Sequence, residues 1–405
     1  MNLLIFLQNT KKGGVDTFVS NLINFWPDKN AKIYLVCNKS HPGIENLKKK
    51  IIKKKNIKIK LYKHNLIQDL NLNYYNKFVL KILKYYYWIK CILFINKELV
   101  NLFQNINANK MLVVNGGYPG GEGCLSALKA WKKINKKNKS FYNFHNYAKK
   151  NRKGIYFIDD YLNNLVDKQT SQNSDKFLSV SKSCINSLKN RVKIKKKSCD
   201  YIYNGIDYKI RKTNQNTNIK IKFDNKKIIL MLANYELRKG FKFIFKTFDE
   251  IYKKRNDIIL LIYGDSNSSE FKNIQKLRNK FISKNNIYLK KFNQNVANLY
   301  KISDVVVIPS ITDESFGYAY PEASLFKKPV VASKIGGLKE IIKNNYDGYL
   351  VNVNDYKDFS SKILKLVNNR KLSKTFTSRS YKKVKNKFNA KSMSLSYYKI
   401  INENK

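Results

Sequence analysis

The sequence predicts an α/β protein of two domains, each built on a doubly wound parallel sheet. Three observations predict it. At 405 residues the chain exceeds what one hydrophobic core ordinarily serves, and a hydrophobic content of 43% is enough to build two. Short apolar runs of strand length alternate with stretches of helical period, the signature of βαβ units. A polar stretch from Asp207 to Lys226, rich in Asn, Lys and Thr and without apolar period, separates two such alternating sets and has the composition of an interdomain linker.

The first set comprises Leu3 to Leu7, Lys32 to Cys37, Ile57 to Leu61, Met111 to Val114, Ser140 to Phe144, Phe177 to Val180 and Tyr201 to Tyr203. After the first run, Val15, Phe18, Leu22 and Trp26 recur at three- and four-residue spacing, which gives a helix one apolar face to pack on the sheet. That helix begins at the Gly13-Gly14 turn. The second set comprises Ile228 to Ala233, Ile258 to Tyr263, Asn286 to Leu289, Val305 to Ile308, Val330 to Ala332 and Tyr349 to Val351. From about Phe376 to the end the pattern is helical. The expected division is 1–206, 207–375 and a terminal helical segment 376–405. Two doubly wound halves facing each other would set strand carboxyl ends on either side of a cleft, where such sheets bind ligands.

One segment stands apart. From Lys77 to Asn96, lysines interrupt aromatic and aliphatic residues too often for a membrane-spanning helix. Two readings stand open: a basic helix lying on an anionic bilayer with Tyr and Trp at the headgroups, or a helix packed on its own sheet with snorkelling lysines. The runs Lys48 to Lys55 and Lys193 to Lys197 read as solvated faces or turns.

The formal charge is +52, from 80 Lys+Arg against 28 Asp+Glu. Such an excess suits phosphate contacts, yet lysine is accompanied throughout by Asn, Ile and Tyr, a bias that an A/T-rich coding sequence produces on any tolerant surface. Zinc-finger spacing, an RNP-like aromatic signature and basic-region heptads are missing, so nucleic acid is not the expected partner. An anionic membrane face or anionic lipid-linked glycans would feel the same field. The five cysteines are scattered and form no CxxC pair, which argues against a disulfide framework or zinc site and for a reducing compartment. Met1 to Gln8 has no basic leader and reads as a first strand rather than a signal peptide. A cytoplasmic location is expected.

The chemistry concentrates at Glu314-Ser-Phe-Gly-Tyr-Ala-Tyr-Pro-Glu322, entered from the apolar strand Val305 to Ile308. The strand delivers a loop that turns into a helix near Tyr318, whose free amides favour phosphate. Gly317 lets the backbone come close to a ligand, and Glu322 falls in the first turns of that helix, where a carboxylate is electrostatically comfortable. Both acids can then face one pocket. The plainer alternative has Glu322 complementing the helix dipole and Glu314 as a solvated loop acid.

Further motifs follow the same order along nearly the whole chain: Gly13-Gly14, His145 after a strand, Val180-Ser181, Asn204-Gly205-Ile206-Asp207, Lys239-Gly240, Ser303-Asp304 leading into Pro309-Ser310, and Pro329-Val-Val-Ala-Ser333 followed by Gly336-Gly337 and Glu340. In this order they resemble the retaining family-4 glycosyltransferases with the GT-B fold, which use a nucleotide-sugar donor. The resemblance implies transfer of a sugar to a hydroxyl of a glycan or lipid-linked acceptor, in bacterial surface polysaccharide synthesis such as lipopolysaccharide, O-antigen or capsule. The rival expectation is a silent GT-B protein that binds anionic glycan or nucleic acid.

By the same resemblance, Glu322 accepts hydrogen bonds from the nucleotide ribose, and Glu314 holds a hydroxyl on the donor sugar. Backbone amides from Phe316 through Gly317 and Tyr318 to Ala319 meet sugar and phosphate, and amides at Gly13 and Gly14 meet the diphosphate. Lys239, with Arg238 beside it, would stabilise the departing diphosphate, which needs positioned cations rather than proton transfer. The family usually carries arginine five residues before that lysine, and Asn234 stands there in this chain. His145, at a strand's carboxyl end, is expected to hydrogen-bond the donor sugar or the developing charge. The glycine-dense segment Asn115 to Gly123 could shape the acceptor side. Glu314 and Glu322 are expected to bind rather than to act as a hydrolase pair. No cofactor and no metal are expected, since no DxD-type motif is evident: Asp159-Asp160 lies in a helical period and Asp313-Glu314 in the donor loop. The partners expected are the donor, the acceptor and, peripherally, the inner face of the cytoplasmic membrane.

Overall fold

A computed structural model of the chain describes residues 2–52, 55–63, 76–148, 157–191, 194, 198–208, 223, 225–291 and 296–403. The chain divides into two compact units: residues 1–205 with 390–405, and residues 206–389. The passage out of the first unit lies between Gly205 and Ile206, one residue from the boundary the sequence suggested. Most of the polar stretch from Asp207 to Lys226, and most of the Lys193 to Lys197 run, lies outside the described residues.

The first unit holds a parallel seven-stranded sheet in the order β3-β2-β1-β4-β5-β6-β7. Its strands are β1 Leu3–Gln8, β2 Ile33–Asn38, β3 Ile57–Tyr62, β4 Lys110–Asn115, β5 Lys139–Phe144, β6 Lys176–Ser179 and β7 Cys199–Tyr201. The second unit holds a parallel six-stranded sheet in the order β10-β9-β8-β11-β12-β13. Those strands are β8 Lys227–Leu232, β9 Ile258–Gly264, β10 Ile287–Lys291, β11 Val305–Ile308, β12 Val330–Ser333 and β13 Tyr349–Val351. Every expected strand is present. The largest shift is at β7, where pairing from Phe177↔Cys199 to Ser179↔Tyr201 sets the ends, so the strand stops where the sequence expected it to start.

β1, β2 and β9 are buried along their whole length, as strands covered by helices on both faces must be. In each unit the strand order reverses direction beside the first strand, between β1 and β4 and between β8 and β11. A reversal leaves a crevice outside the strand carboxyl ends where no crossover connection covers the edge. Each unit therefore has one place where a ligand site is cheapest to build.

The return to the first unit comes later than expected. The helix Arg370–Lys387 stays in the second unit with Phe376 and Val384 buried, and only from Ala390 does the chain rejoin the first. The helix Ala390–Asn402 then places Met393, Tyr397 and Ile401 in the first unit's core. Ser394 fixes it by donating to the carbonyls of Asn21 and Leu22, both at 3.3 Å.

The basic apolar segment forms the helix Lys77–Leu93. It packs on neighbouring helices rather than on the sheet: Cys91 and Ile92 are buried with Leu125 and Val166, and Trp88, Leu162 and Leu165 pack against them. The opposite side leaves Phe78, Ile82, Tyr86, Ile89 and Leu93 exposed, from 42% to 72%. These positions recur every three or four residues and form one stripe. The reading of a helix packed within its own unit thus holds with helices, not the sheet, as the partner.

Under the same layer, the helix Phe157–Asn173 carries Asp167, which is fully buried. Its carboxylate accepts from Arg191 Nη2 at 2.7 Å and from the Tyr118 hydroxyl at 2.8 Å. Removing one partner of such a pair strands the other charge out of water. Asp167→Ala is expected to lower the first unit's unfolding free energy by about 3 to 5 kcal/mol, read by urea denaturation at neutral pH.

Candidate active site

In the second unit, β8 ends at Leu232 and the chain runs through Asn234 into a short 3-10 turn, Leu237–Lys239. Gly240 follows at φ +82, and the helix Phe241–Tyr252 begins after it. Lys239 thus precedes the helix rather than opening it. A Cβ at Gly240 would lie 1.9 Å from the Pro309 carbonyl oxygen, so only glycine permits the approach of this turn to the segment after β11. The Ile311 amide closes the approach by donating to the Arg238 carbonyl at 2.9 Å.

That approach sets Lys239 beside Glu314. Lys239 Nζ stands 2.7 Å from Glu314 Oε2, and the Ser310 hydroxyl donates to the same oxygen at 2.8 Å. Glu314 is only 9% exposed. Burial alone would raise its carboxyl, but the Lys239 ammonium, the Ser310 hydroxyl and the Arg238 charge outweigh it, and the pKa lies below the ordinary glutamate value. Glu314 is therefore a carboxylate, and Lys239 is its counter-ion. The solvated-loop alternative for Glu314 does not hold.

Arg238 turns elsewhere. Its Nε meets Glu236 at 2.6 Å, and Nη1 donates to the Asp313 carbonyl at 3.4 Å. The two adjacent residues of the turn diverge, so Arg238 does not stand beside Lys239 at Glu314, though its charge still contributes to the potential there.

The loop after Glu314 is tightly determined. Gly317 sits at φ +83 with Leu338 2.5 Å from where a Cβ would stand. Phe316 is buried edge-on to Tyr318 and Phe388. The Gly337 amide donates to the Glu314 carbonyl at 2.8 Å. The helix Ala319–Leu325 follows, with Tyr318 at its cap. Glu322, partly exposed in its first turn, accepts from the Tyr300 hydroxyl at 2.7 Å. Burial, with the Glu322 charge second, pushes the Tyr300 hydroxyl far above its usual value and keeps it a donor. Sequence reasoning missed Tyr300 and Glu236, since no spacing ties Tyr300 to Glu322 or Glu236 to a turn of this kind, and it named Ser310 without its bond to Glu314.

In the first unit, Gly13 caps the helix Gly14–Asn24 with an extended backbone, and open space lies where its Cβ would be. The turn is not an empty anion nest. The Gly13 amide donates to Asp16 Oδ2 at 3.3 Å, while Asn9 Nδ2 and His41 Nε2 stand 2.9 Å from Asp16 Oδ1. The helix brings its own carboxylate to the turn, a partner the glycine pair did not announce.

His145 follows β5 and is 9% exposed, against the Phe18 ring at 4.3 Å and with Nε2 3.2 Å from Asn143 Nδ2. Burial pushes the imidazole down to about 3. It is neutral near pH 7 and acts as a hydrogen-bonding group, not a cation. Close to it, at the β1/β4 reversal, a cavity of about 890 Å3 is lined by Gln8, Asn9, Trp88, Asp159, Asp160 and the glycine-dense segment Asn115–Gly121, among others. Among the described residues no cluster of three or more His, Cys, Asp or Glu could hold a metal ion, and no helix is long and apolar enough to cross a membrane.

The Lys239–Glu314 pair makes a pH-dependent prediction. A carboxylate whose folded pKa is depressed adds stability that is present above its unfolded value, about 4.3, and lost as pH falls through the folded value. Lys239→Ala removes that stabilisation, at about 1 to 3 kcal/mol near pH 7. Thermal midpoints of the two proteins should differ most at neutral pH and converge only once pH has fallen through the depressed folded value of Glu314.

Residues 212–383 match the family described as glycosyl transferases group 1. N-acetyl-alpha-D-glucosaminyl L-malate synthase of Bacillus anthracis is 28% identical over 61% of this chain and 65% of its own length. The capsular polysaccharide biosynthesis glycosyltransferase CapM of Staphylococcus aureus is 28% identical over 38% of this chain and 40% of its own. The chain thus spans less than two thirds of each of these relatives. A glycosyltransferase of Rickettsia africae ESF-5 superposes with TM-score 0.75 and 22% identity, covering 100% of this chain and 99% of the other. Anabaena Alr3699/HepE, solved in complex with UDP, gives TM-score 0.73 and 14% identity, covering 99% of each chain. At these identities the superpositions establish the fold. Residues 212–383, within the second unit, are thus similar to the group 1 glycosyltransferases, and the chain has the GT-B fold.

Proposed function

We propose that the chain transfers a sugar, with retention, from a nucleotide diphosphate-sugar to a hydroxyl of a glycan or lipid-linked acceptor in surface polysaccharide synthesis. The observation that carries this is the Lys239–Glu314 pair at the β8/β11 reversal, with the Tyr300-oriented Glu322 on the next helix. A departing diphosphate needs a fixed cation, and Lys239 is one whose position is set by a buried carboxylate. Glu314 Oε2, already holding Lys239 and Ser310, is preorganised to accept a donor-sugar hydroxyl beside them. Glu322 is suited to the ribose hydroxyls, and amides from Phe316 to Ala319 to sugar and phosphate. His145 would hydrogen-bond the donor sugar as a neutral imidazole. The acceptor hydroxyl would attack on the face the phosphate leaves, giving its proton to that phosphate, so neither glutamate need form a covalent intermediate. No metal is required by these steps, since Lys239 and backbone dipoles take the charge. The capsule relative and the UDP-bound neighbour support the acceptor class and the donor class respectively.

Asn234, at the position where the family usually has arginine, supports the rival reading of a silent GT-B binder of anionic glycan or nucleic acid. A thermal-shift panel of UDP, GDP, ADP, CMP and their sugars separates the two. Ligand at about a hundred times its Kd should stabilise by roughly 2.7 kcal/mol, for one nucleotide, and Lys239→Ala and Glu322→Ala should each reduce the shift. No shift for any nucleotide in folded protein would favour the silent binder.

The exposed stripe from Phe78 to Leu93 supports peripheral attachment to an anionic bilayer at the inner face of the cytoplasmic membrane, because the helix carries four lysines and no acid. Vesicles containing phosphatidylglycerol should pellet the protein and neutral phosphatidylcholine vesicles should not. Phe78→Ser with Leu93→Ser should weaken binding about tenfold or more, given about 1.5 to 3 kcal/mol for each large apolar side chain buried.

A further inference from the structure

We infer that Asn143 and Tyr397 are positioning residues that hold His145 with its proton on Nδ1, so that the imidazole meets the donor sugar as a hydrogen-bond donor. The inference rests on the transferase reading for the identity of that ligand and on the first unit alone for its geometry. Asn143 lies on β5 and His145 directly after it, with the His145 amide still bonded to the Asn115 carbonyl of β4 at 3.0 Å. Two residues apart on an extended chain, their side chains share one face of the sheet. Phe141 shares it too, in the core that holds Phe18, Met393 and Tyr397.

An asparagine buried in such a core is costly unless its amide is used. Asn143 is fully buried, and its Nδ2 stands 3.2 Å from His145 Nε2. An amide nitrogen only donates, so Nε2 accepts, and the single N–H of the neutral ring is at Nδ1. Tyr397 comes from the helix that returns at Ala390, and it bears on His145 by two routes. Its ring packs edge-on against Phe18 at 5.2 Å, and Phe18 covers the imidazole at 4.3 Å. Its hydroxyl is the second route. Burial raises that hydroxyl above its ordinary value, and the Asn143 amide opposes the shift, as an N–H directed at the phenol oxygen does.

Neither Asn143 Oδ1 nor the Tyr397 hydroxyl completes a hydrogen bond among the described residues. The bond to His145 and the pull of the phenol oxygen are therefore what orient this amide. The consequence for a ligand is selective. With Nε2 committed to Asn143, His145 offers an N–H, which suits an oxygen lone pair on a sugar hydroxyl or a developing charge. No basic nitrogen of this ring remains to take the acceptor's proton.

The test is long-range proton–nitrogen correlation NMR on the full chain labelled at its three histidines. His145 is assigned by the signals missing from His145→Asn or, should that variant not fold, by elimination in His41→Gln and His64→Gln. In the wild type Nδ1 should carry the proton and Nε2 should not, from about pH 8 down to about pH 5. Asn143→Asp turns the donor into an acceptor. It should move the proton to Nε2, raise the imidazole pKa from about 3 by about 1 to 3, and lower kcat/KM for nucleotide release from the nucleotide-sugar about tenfold or more. Tyr397→Phe keeps the ring against Phe18 and loses one oxygen, so it decides the matter should Asn143→Asp fail to fold. It should give a mixture of the two tautomers, with kcat/KM falling in proportion to the Nε2–H fraction. A proton on Nε2 in the wild type, a tautomer unchanged in Tyr397→Phe, or an Asn143→Asp enzyme that moves the proton yet releases nucleotide at the wild-type rate would overturn the inference. A wild type with its proton on Nδ1 that releases nucleotide from no nucleotide-sugar would instead sink the transferase reading.

Discussion

An ammonium and a carboxylate 75 positions apart in sequence meet at 2.7 Å, and the second unit's chemistry depends on that meeting. It is made possible by a parallel sheet whose order puts β8 beside β11, so that the loops leaving both strands emerge together. It is made close by Gly240, which lets one turn touch the carbonyl of Pro309. The pair in turn defines what the loop can offer. With Lys239 neutralising Glu314, the loop can bury a charged acid under Phe316 and Gly317 without protonating it. The same lysine stays fixed for an incoming anion. On the proposed function, stability and ligand chemistry are served by one contact, and a change that loosens it disturbs both.

The first unit solves a different problem in the same topology. Its reversal lies between β1 and β4, and amides and glycines line the carboxyl ends of those strands. Among the described residues, acidic groups stand in both places, Asp16 inside the Gly13 turn and Asp159 and Asp160 beside Lys84 at the cavity. The excess lysines belong to the surface, including the helix whose inner face supplies Trp88 and whose outer face carries an apolar stripe.

Much of this was legible in the sequence because parallel strands buried on both faces must be short apolar runs. All thirteen appear near their expected positions, β11 and β13 with the expected ends. Glu314 and Glu322 were legible as candidates from their loop and helix setting, and Gly317 from its place between them. What was not legible depends on distance in sequence. Nothing near Lys239 announces that its partner is Glu314, nothing near Glu322 points to Tyr300, and nothing near Asp16 shows that His41, 25 positions on, will meet it. The return of the chain at Ala390 was mislaid because the helices on both sides of it share one helical pattern, and only burial tells which core each one serves. His145 was found by position, but its neutrality follows from burial against Phe18.

The central claim is that Lys239, held by Glu314, stabilises a departing diphosphate without a metal. Its most direct test is nucleotide release from the nucleotide-sugar that binds, measured with chelator present and with an acceptor glycoside, for the wild type and for folded Lys239→Ala. The account predicts release that the chelator leaves intact and that falls at least a hundredfold in the variant, about 2.7 kcal/mol of transition-state stabilisation. Release that chelator abolishes, or that Lys239→Ala leaves unchanged, would contradict it.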